Sequence, residues 1–293
     1  MLKASVVIPV YNEAFELKKV LHALKNQTYP QDGFEIIVVD NGSTDNTKQL
    51  VDQYEDVQYL LQVEYLNSSY SSRNRGIEAS GGEIIILLDG TVVPEKEWLE
   101  WGLKCMEEKK ADIITSNVRF DFDGNVTAGK IYDSNNATTE AQTKNRGVAV
   151  TASLFVKAHL FDKIGKFKEG AYTAEDGIWT YKATHSGYKL EFCRKSRAHK
   201  KAKTYWKLVK KQWRDAKGYY PYWELIGKEV PMYKKLIRSL LPYHPKRLNK
   251  LVQNVDFKVS LYQKFKLYFV AWSIWIVMSV AHIYGYHLQE GTE

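Results

Sequence analysis

The sequence predicts an α/β fold: a mostly parallel sheet flanked by helices, followed by a C-terminal helical segment that associates with a membrane. Three observations carry this. Glu83-Ile84-Ile85-Ile86-Leu87-Leu88-Asp89 is an unbroken apolar run closed by an acid, the pattern of a strand buried on both faces. Glu35-Ile36-Ile37-Val38-Val39-Asp40 repeats that form. Far downstream, Leu267 to Tyr286 carries no formal charge. In open parallel sheets, ligands bind beyond the carboxyl ends of the strands, where Asp40 and Asp89 fall.

The elements follow in order. Ala4 to Val10 is strand-like, and Leu17, Val20, Leu21 and Leu24 then keep helical spacing. The strand ending at Asp40 comes next. Gly42-Ser43-Thr44-Asp45 reads as a turn leading into a helix near Asp45. A short helix is expected around Arg73–Ala79, then Gly81-Gly82, then the strand ending at Asp89. Strands and helices alternating at this spacing form a parallel sheet. Pro94 fits the first turn of a helix carrying Trp98, Leu99 and Trp101. Asp121 to Arg146 is polar and reads as a long loop or hairpin. A β-like pattern resumes at Val148–Phe155, a connecting segment at Phe161–Phe167 and a helix start at Glu175–Thr184.

The chain has 293 residues, 44% of them apolar, enough for one large or two small domains. We divide it into residues 1–220 and a helical region, 221–293, that contains the apolar segment 267–286. Cys105 and Cys193 are isolated; they form neither a disulfide framework nor a zinc site, which points to a reducing compartment. No secretory leader is expected before the first strand.

The formal net charge is +8, and the excess is concentrated in residues 199–218. Such a run attracts anions: nucleic acid, a phosphorylated ligand or an anionic membrane. Trp206, Leu208, Val209 and Trp213 interleave with its lysines, which argues against a purely solvated helix. No recognised nucleic-acid module accompanies the run, so nucleic acid is not expected as a partner. The 267–286 segment spans about 30 Å as a helix, the thickness of a bilayer core. Lys264 and Lys266 precede it, which places the bulk of the chain at the cytoplasmic face, anchored or peripherally attached. The alternative is a buried or dimer-forming helix.

Several motifs now fall into order. Val7-Ile8-Pro9-Val10-Tyr11-Asn12-Glu13, Val38-Val39-Asp40-Asn41-Gly42-Ser43-Thr44-Asp45, Arg73-Asn74-Arg75-Gly76, the run ending at Asp89, Pro94, Trp98-Leu99, Glu175-Asp176 and His199 together resemble the family 2 glycosyltransferases. The similarity covers about residues 4 to 218. It implies a GT-A fold with a Rossmann-like sheet, a nucleotide-diphosphate-sugar donor, UDP-linked by expectation, and inversion at the anomeric carbon.

Each residue then has an expected role. A carboxylate at Asp40 can accept a hydrogen bond from a base N–H; the resemblance implies that role, with Pro9, Tyr11 and Glu13 lining the nucleoside pocket. For Asp40 a turn-forming role is the alternative, and for Tyr11 ordinary packing. Arg73 faces either the base or the diphosphate, or is a surface ion pair. Asp89 matches the first acid of the family's Asp-X-Asp motif, which implies Mn²⁺ or Mg²⁺ on the diphosphate. Here the motif reads Asp89-Gly90-Thr91, and a hydroxyl is a weaker, neutral ligand. Three outcomes follow: a metal held by Asp89 and His199, lysines replacing part of its charge, or loss of transfer. Asp176, with Glu175 beside it, is implied as the general base that takes the acceptor's proton. A helix N-terminus is the other reading of that pair.

The expected function is an inverting, hexosyl-type glycosyltransferase acting on a lipid-linked or cell-surface glycan at the membrane. The alternative is a non-catalytic protein of the same fold that binds sugar nucleotides or glycans.

Overall fold

The computed structural model describes residues 3–290 apart from 136–139, 229–231, 242, 254 and 256. Its first half follows the apolar runs. β1 (Ala4–Val10), α1 (Ala14–Lys25), β2 (Phe34–Asp40), α2 (Thr47–Val51), β3 (Val57–Leu61), α3 (Ser69–Ala79) and β4 (Ile84–Leu88) alternate along the chain. Every residue of β1 and β4 is buried, as a strand covered on both faces requires. Leu17, Val20, Leu21 and Leu24 of α1 all face the core, because spacings of three and four return to one side of a helix.

Then come β5 (Val92–Pro94), α4 (Trp98–Glu108), β6 (Ile113–Asp121), α5 (Ala128–Ser134), α6 (Glu140–Arg146), β7 (Ser153–Lys157), α7 (His159–Ile164), α8 (Glu175–His185) and β8 (Leu190–Lys201). The chain ends in α9 (Tyr205–Lys217), α10 (Tyr220–Leu225), α11 (Met232–Leu240), α12 (Pro245–Gln253) and α13 (Leu261–Glu290).

The eight strands form one sheet in the order β3-β2-β1-β4-β7-β6-β8-β5. β3, β2, β1 and β4 run parallel. β7 is antiparallel to β4, β6 to β7, and β5 to β8. Val10 pairs with Asp40 and Val7 with Leu87, so Asp40 and Asp89 emerge at the same rim. α3 lies close on this sheet. A Cβ on Gly76 would sit 2.3 Å from Val7 Cγ1, so only glycine allows that approach.

The structure departs from the sequence reading in four places. Pro94 belongs to β5, opposite Ala198, and the helix begins only at Trp98; proline is tolerated there because β5 is an edge strand. Residues 121–146 contain α5 and α6 instead of one long loop, since Thr127 caps α5 by accepting from Lys130 N. α3 starts at Ser69, earlier than expected, capped by Ser68. Cys105 of α4 and Cys193 of β8, isolated in sequence, form a disulfide across 88 residues. That pairing removes the composition argument for a reducing compartment.

The chain divides into two compact units, Met1–Arg119 with Thr138–Lys200, and Phe120–Ala137 with Lys201–Glu293. The second unit takes in α5 and α9 along with the helices that follow. Within it, α13 packs against α5, α9, α10, α11 and α12. Leu267, Ala271, Ile274 and Ala281 form its buried stripe. α9 turns Leu208, Gln212 and Ala216 inward and leaves Trp206 exposed. Leu261–Tyr286 is long and apolar enough to cross a membrane by length and composition.

Candidate active site

The site lies in the first unit and begins where β1 and β2 end. After β1 the chain bends sharply, with Asn12 in the left-handed region at φ 53°, a conformation asparagine tolerates. Asn12 Oδ1 accepts from Thr44 N at 2.7 Å, and Asn12 N donates to Ser43 Oγ at 2.8 Å. Asp45 Oδ2 accepts from Ala14 N at 3.1 Å. The loops after β1 and β2 are thereby laced into one wall. Tyr11 stands half exposed on it.

Asp40 is buried below this wall. Its Oδ1 accepts from Ser43 N at 2.8 Å, and its Oδ2 accepts from the Tyr59 hydroxyl at 2.9 Å. The first bond is the turn-forming role the sequence left open. Each carboxylate oxygen has a second lone pair, so both bonds leave acceptor capacity. Burial, and then the hydrogen bond to Asp40, push the Tyr59 phenol far above its ordinary pKa, so it stays a donor. Tyr59 has no motif in its sequence, and only the pairing of β2 with β3 reveals it.

Glu13 and Pro9 reach toward the next strand end. A Cβ on Gly90 would lie 3.2 Å from Glu13 Oε2 and 3.3 Å from the Pro9 carbonyl oxygen. Val10 Cγ1 would be nearer still, at 2.9 Å, so the middle residue of Asp89-Gly90-Thr91 is closely packed against the end of β1 and Glu13.

Asp89 follows β4, and its backbone N–H donates to the Ala152 carbonyl at 3.1 Å. Its carboxylate is held by two cations. Arg73 Nη2 donates to Oδ1 at 2.7 Å, and Lys200 Nζ donates to Oδ2 at 2.9 Å. Arg73 is 4% exposed and stacks over the Tyr70 ring at 5.3 Å. It is thus a buried ion pair, not the surface pair considered from sequence. Lys200 was one of many lysines in the basic run, and nothing in its local sequence marked it.

Asp176 opens α8 beside these groups. Its Oδ1 accepts from Gly177 N at 2.9 Å, and its Oδ2 from Thr151 N at 3.4 Å. Thr151 adjoins the Ala152 that pairs with Asp89, so Asp89 and Asp176 share one rim of the sheet. Burial pushes the Asp176 carboxyl above the usual aspartate range; Arg73, the two backbone amides and Tyr70 oppose that shift. Tyr70, buried against Asp176, is raised well above an ordinary phenol.

The segment leading into α8 is fixed by α3. Ser68 Oγ donates to the Ala171 carbonyl, Ser71 Oγ accepts from Gly170 N, and Asn74 bonds both N and O of Phe167. Ala174, just before the acids, takes φ 68°, a strained setting for a residue with a Cβ. The structure separates the two adjacent acids. Asp176 faces Arg73 and Tyr70, whereas Glu175 is buried with Oε2 accepting from Lys168 N at 3.1 Å, an anchor for the loop.

The proposed metal ligands are not gathered. His199 Nε2 lies 2.6 Å from Glu95 Oε1. Val93 pairs with His199 and Val92 with Lys200, and successive strand residues project to opposite faces. Lys200, not His199, therefore shares the face of Asp89. Among the described residues no group of three or more His, Cys, Asp or Glu side chains could hold a metal ion. With Thr91 neutral and both Asp89 oxygens on cations, the residues present do not fit a divalent ion.

Comparison with known proteins identifies the family and the fold. The sequence profile described as Glycosyl transferase family 2 matches residues 5–168. Glycosyltransferase AglE of Haloferax volcanii is 34% identical over 92% of this chain and 91% of its own length. The Staphylococcus aureus poly(ribitol-phosphate) β-N-acetylglucosaminyltransferase TarS is 27% identical, but this chain spans only 32% of its length. A crystal structure of TarS residues 1–349 in complex with UDP-GlcNAc superposes with a TM-score of 0.58 at 17% identity, covering 93% of this chain and 90% of that one. The mannosyltransferase PcManGT of Pyrobaculum calidifontis, in complex with GDP-Man and Mn²⁺, superposes with a TM-score of 0.63 at 19% identity, covering 97% and 85%. The two superpositions establish the GT-A fold.

Proposed function

Because this chain belongs to glycosyl transferase family 2 and is a glycosyltransferase, we propose that it transfers one sugar from a nucleoside-diphosphate sugar, UDP-linked, to a glycan or lipid-linked acceptor with inversion. One observation supports this most: Asp40, Asp89 and Asp176 stand at a single rim of the sheet. Neighbouring strands lie about 4.8 Å apart, so β2 and β4, with β1 between them, separate Asp40 from Asp89 by about 10 Å. A nucleoside diphosphate bridges such a distance.

Asp40 accepts from the base, with Tyr11 and Pro9 against the nucleoside and Glu13 beside Gly90. Arg73 and Asp89 face the diphosphate. Asp176 takes the acceptor hydroxyl's proton as that oxygen bonds to C1 of the sugar. The C1–O bond to the diphosphate breaks, and its electron pair leaves with the diphosphate. A carboxyl raised by burial is a better base for this step than an ordinary one, because efficiency improves as the pKa nears the working pH. Mn²⁺ accompanies GDP-Man in the PcManGT complex.

The second unit supports attachment to a membrane. The first turns of α13 expose Leu261, Tyr262, Phe265 and Phe269, interleaved with Lys264 and Lys266. Aromatic and basic residues together favour an anionic interface, and we assign it to the cytoplasmic face. The packing of α13 by five other helices favours peripheral attachment over a lone span.

A panel of UDP- and GDP-sugars, assayed for binding and for slow donor hydrolysis, tests the donor reading. At least one donor should bind, and Asp40→Ala should weaken it. No binding across the panel overturns the reading. Flotation with anionic vesicles, but not with zwitterionic ones, tests the attachment.

A further inference from the structure

We propose that Lys200 is a built-in leaving-group cation: together with Arg73 it meets the charge of the nucleoside diphosphate, and the chain binds that group without a divalent metal. The proposal rests on the donor reading above.

The argument begins with charge. A site for a divalent ion offers uncompensated carboxylates. Here both oxygens of Asp89 are engaged by fixed cations, Arg73 at 2.7 Å and Lys200 at 2.9 Å. Thr91 adds no charge where a second acid would stand. A metal at Asp89 would sit beside a guanidinium and an ammonium, and like charges at such range repel. Arg73 and Lys200 are two fixed cations at one carboxylate, and a phosphate oxygen brought to them meets attraction where a metal ion meets repulsion.

Position supports the same assignment. The pairing of β5 with β8 sets Lys200 opposite Val92, three residues beyond Asp89. His199 falls on the other face, at Glu95. The Lys200 side chain is only 17% exposed, so its field is less screened than that of a surface lysine. An ammonium carries three donors; Lys200 can keep Asp89 while donating to a phosphate oxygen. Arg73 Nε is buried and has no hydrogen-bond partner among the described residues, which marks the guanidinium as incompletely satisfied.

The chemistry needs such a cation at one moment. When the C1–O bond breaks, the diphosphate keeps the electron pair and gains one unit of negative charge. Donors already aimed at that oxygen stabilise the transition state without rearranging. Lys200 is held in place by Asp89, so the carboxylate orients the cation and not a metal.

Calorimetric titration of the full-length protein with UDP and GDP tests this, each with EDTA and with Mn²⁺. The expected result is affinity equal within about twofold under both conditions. Lys200→Ala should weaken the diphosphate by on the order of ten- to a hundredfold, the range of a charged hydrogen bond, while uridine or guanosine binds unchanged. Lys200→Arg should recover most of the loss, and thermal unfolding of both variants checks their folding. Binding that vanishes in EDTA and returns with Mn²⁺ overturns the Lys200 assignment and leaves the donor reading standing; that wild-type result decides even if Lys200→Ala does not fold. Absence of any diphosphate binding under every condition removes the donor reading and the assignment with it.

Discussion

Arg73 of α3 and Asp89 after β4 are joined by a 2.7 Å hydrogen bond in which the guanidinium is almost wholly buried. The same arginine is the strongest influence holding down the Asp176 carboxyl against its burial. One side chain thus links a candidate diphosphate-side acid to the candidate base.

Arg73→Met should therefore act in two ways. Asp89 is partly exposed and keeps Lys200, so losing the buried guanidinium and its hydrogen bonds costs about 1–3 kcal/mol of stability. Removing the cation also favours the neutral form of Asp176, so its pKa rises. The acidic limb of the rate–pH profile, which reports deprotonation of the base, should move to higher pH. A profile unchanged in position would separate Arg73 from Asp176.

Asp176→Asn should lower turnover by about 10²–10⁴-fold while nucleoside-diphosphate affinity stays near that of the wild type. It should also stabilise the fold at neutral pH. The sign follows from linkage: the folded pKa of Asp176 lies above its unfolded value, so its stability contribution is fullest below about pH 4. That contribution is lost as the pH rises through the folded pKa. Thermal melts should show the variant more stable at pH 7 and the gap closing as the pH falls toward 4; a gap that widens on acidification contradicts the buried environment.

Reducing Cys105–Cys193 should destabilise the first unit. A cross-link closing a loop of 88 residues contributes about 2–4 kcal/mol in typical proteins, mainly by restricting the unfolded chain. Melting temperatures with and without reductant, and of Cys105→Ser with Cys193→Ser, should both drop by several degrees. Equal melting in both states would mean the bridge is dispensable.

Gly76→Ala should be poorly tolerated although the residue lies within a helix, where alanine is normally favoured. The added methyl would lie 2.3 Å from Val7 Cγ1 and 3.1 Å from Val39 Cγ2, and overpacking of this kind costs about 1–3 kcal/mol. Because α3 also carries Arg73, a drop in denaturation midpoint should come with weaker donor binding. Gly124→Ala, where nothing lies within 4 Å of the added Cβ, is the control for the packing effect; its φ of 69° leaves only a local backbone penalty.

Much of this was legible in the residues alone. The strands ending at Asp40 and Asp89, helix α1 and the start of α8 were readable because burial on both faces, or on one stripe, leaves a local signature in the chain. The candidate acids were readable because they terminate those segments. Pro94, the helices within 121–146, the disulfide and the divergence of Glu175 from Asp176 left no such signature.

What the sequence by itself determined is the set of elements and the acids placed at their ends, since hydrophobic periodicity needs no knowledge of distant residues. What the tertiary structure alone decided is which basic residue meets Asp89. That depends on the pairing of β5 with β8, two segments about a hundred residues apart, and a slip of one position would exchange Lys200 for His199. Side chains alternate between the faces of a strand, so only the register of that pairing could set an ammonium beside the carboxylate.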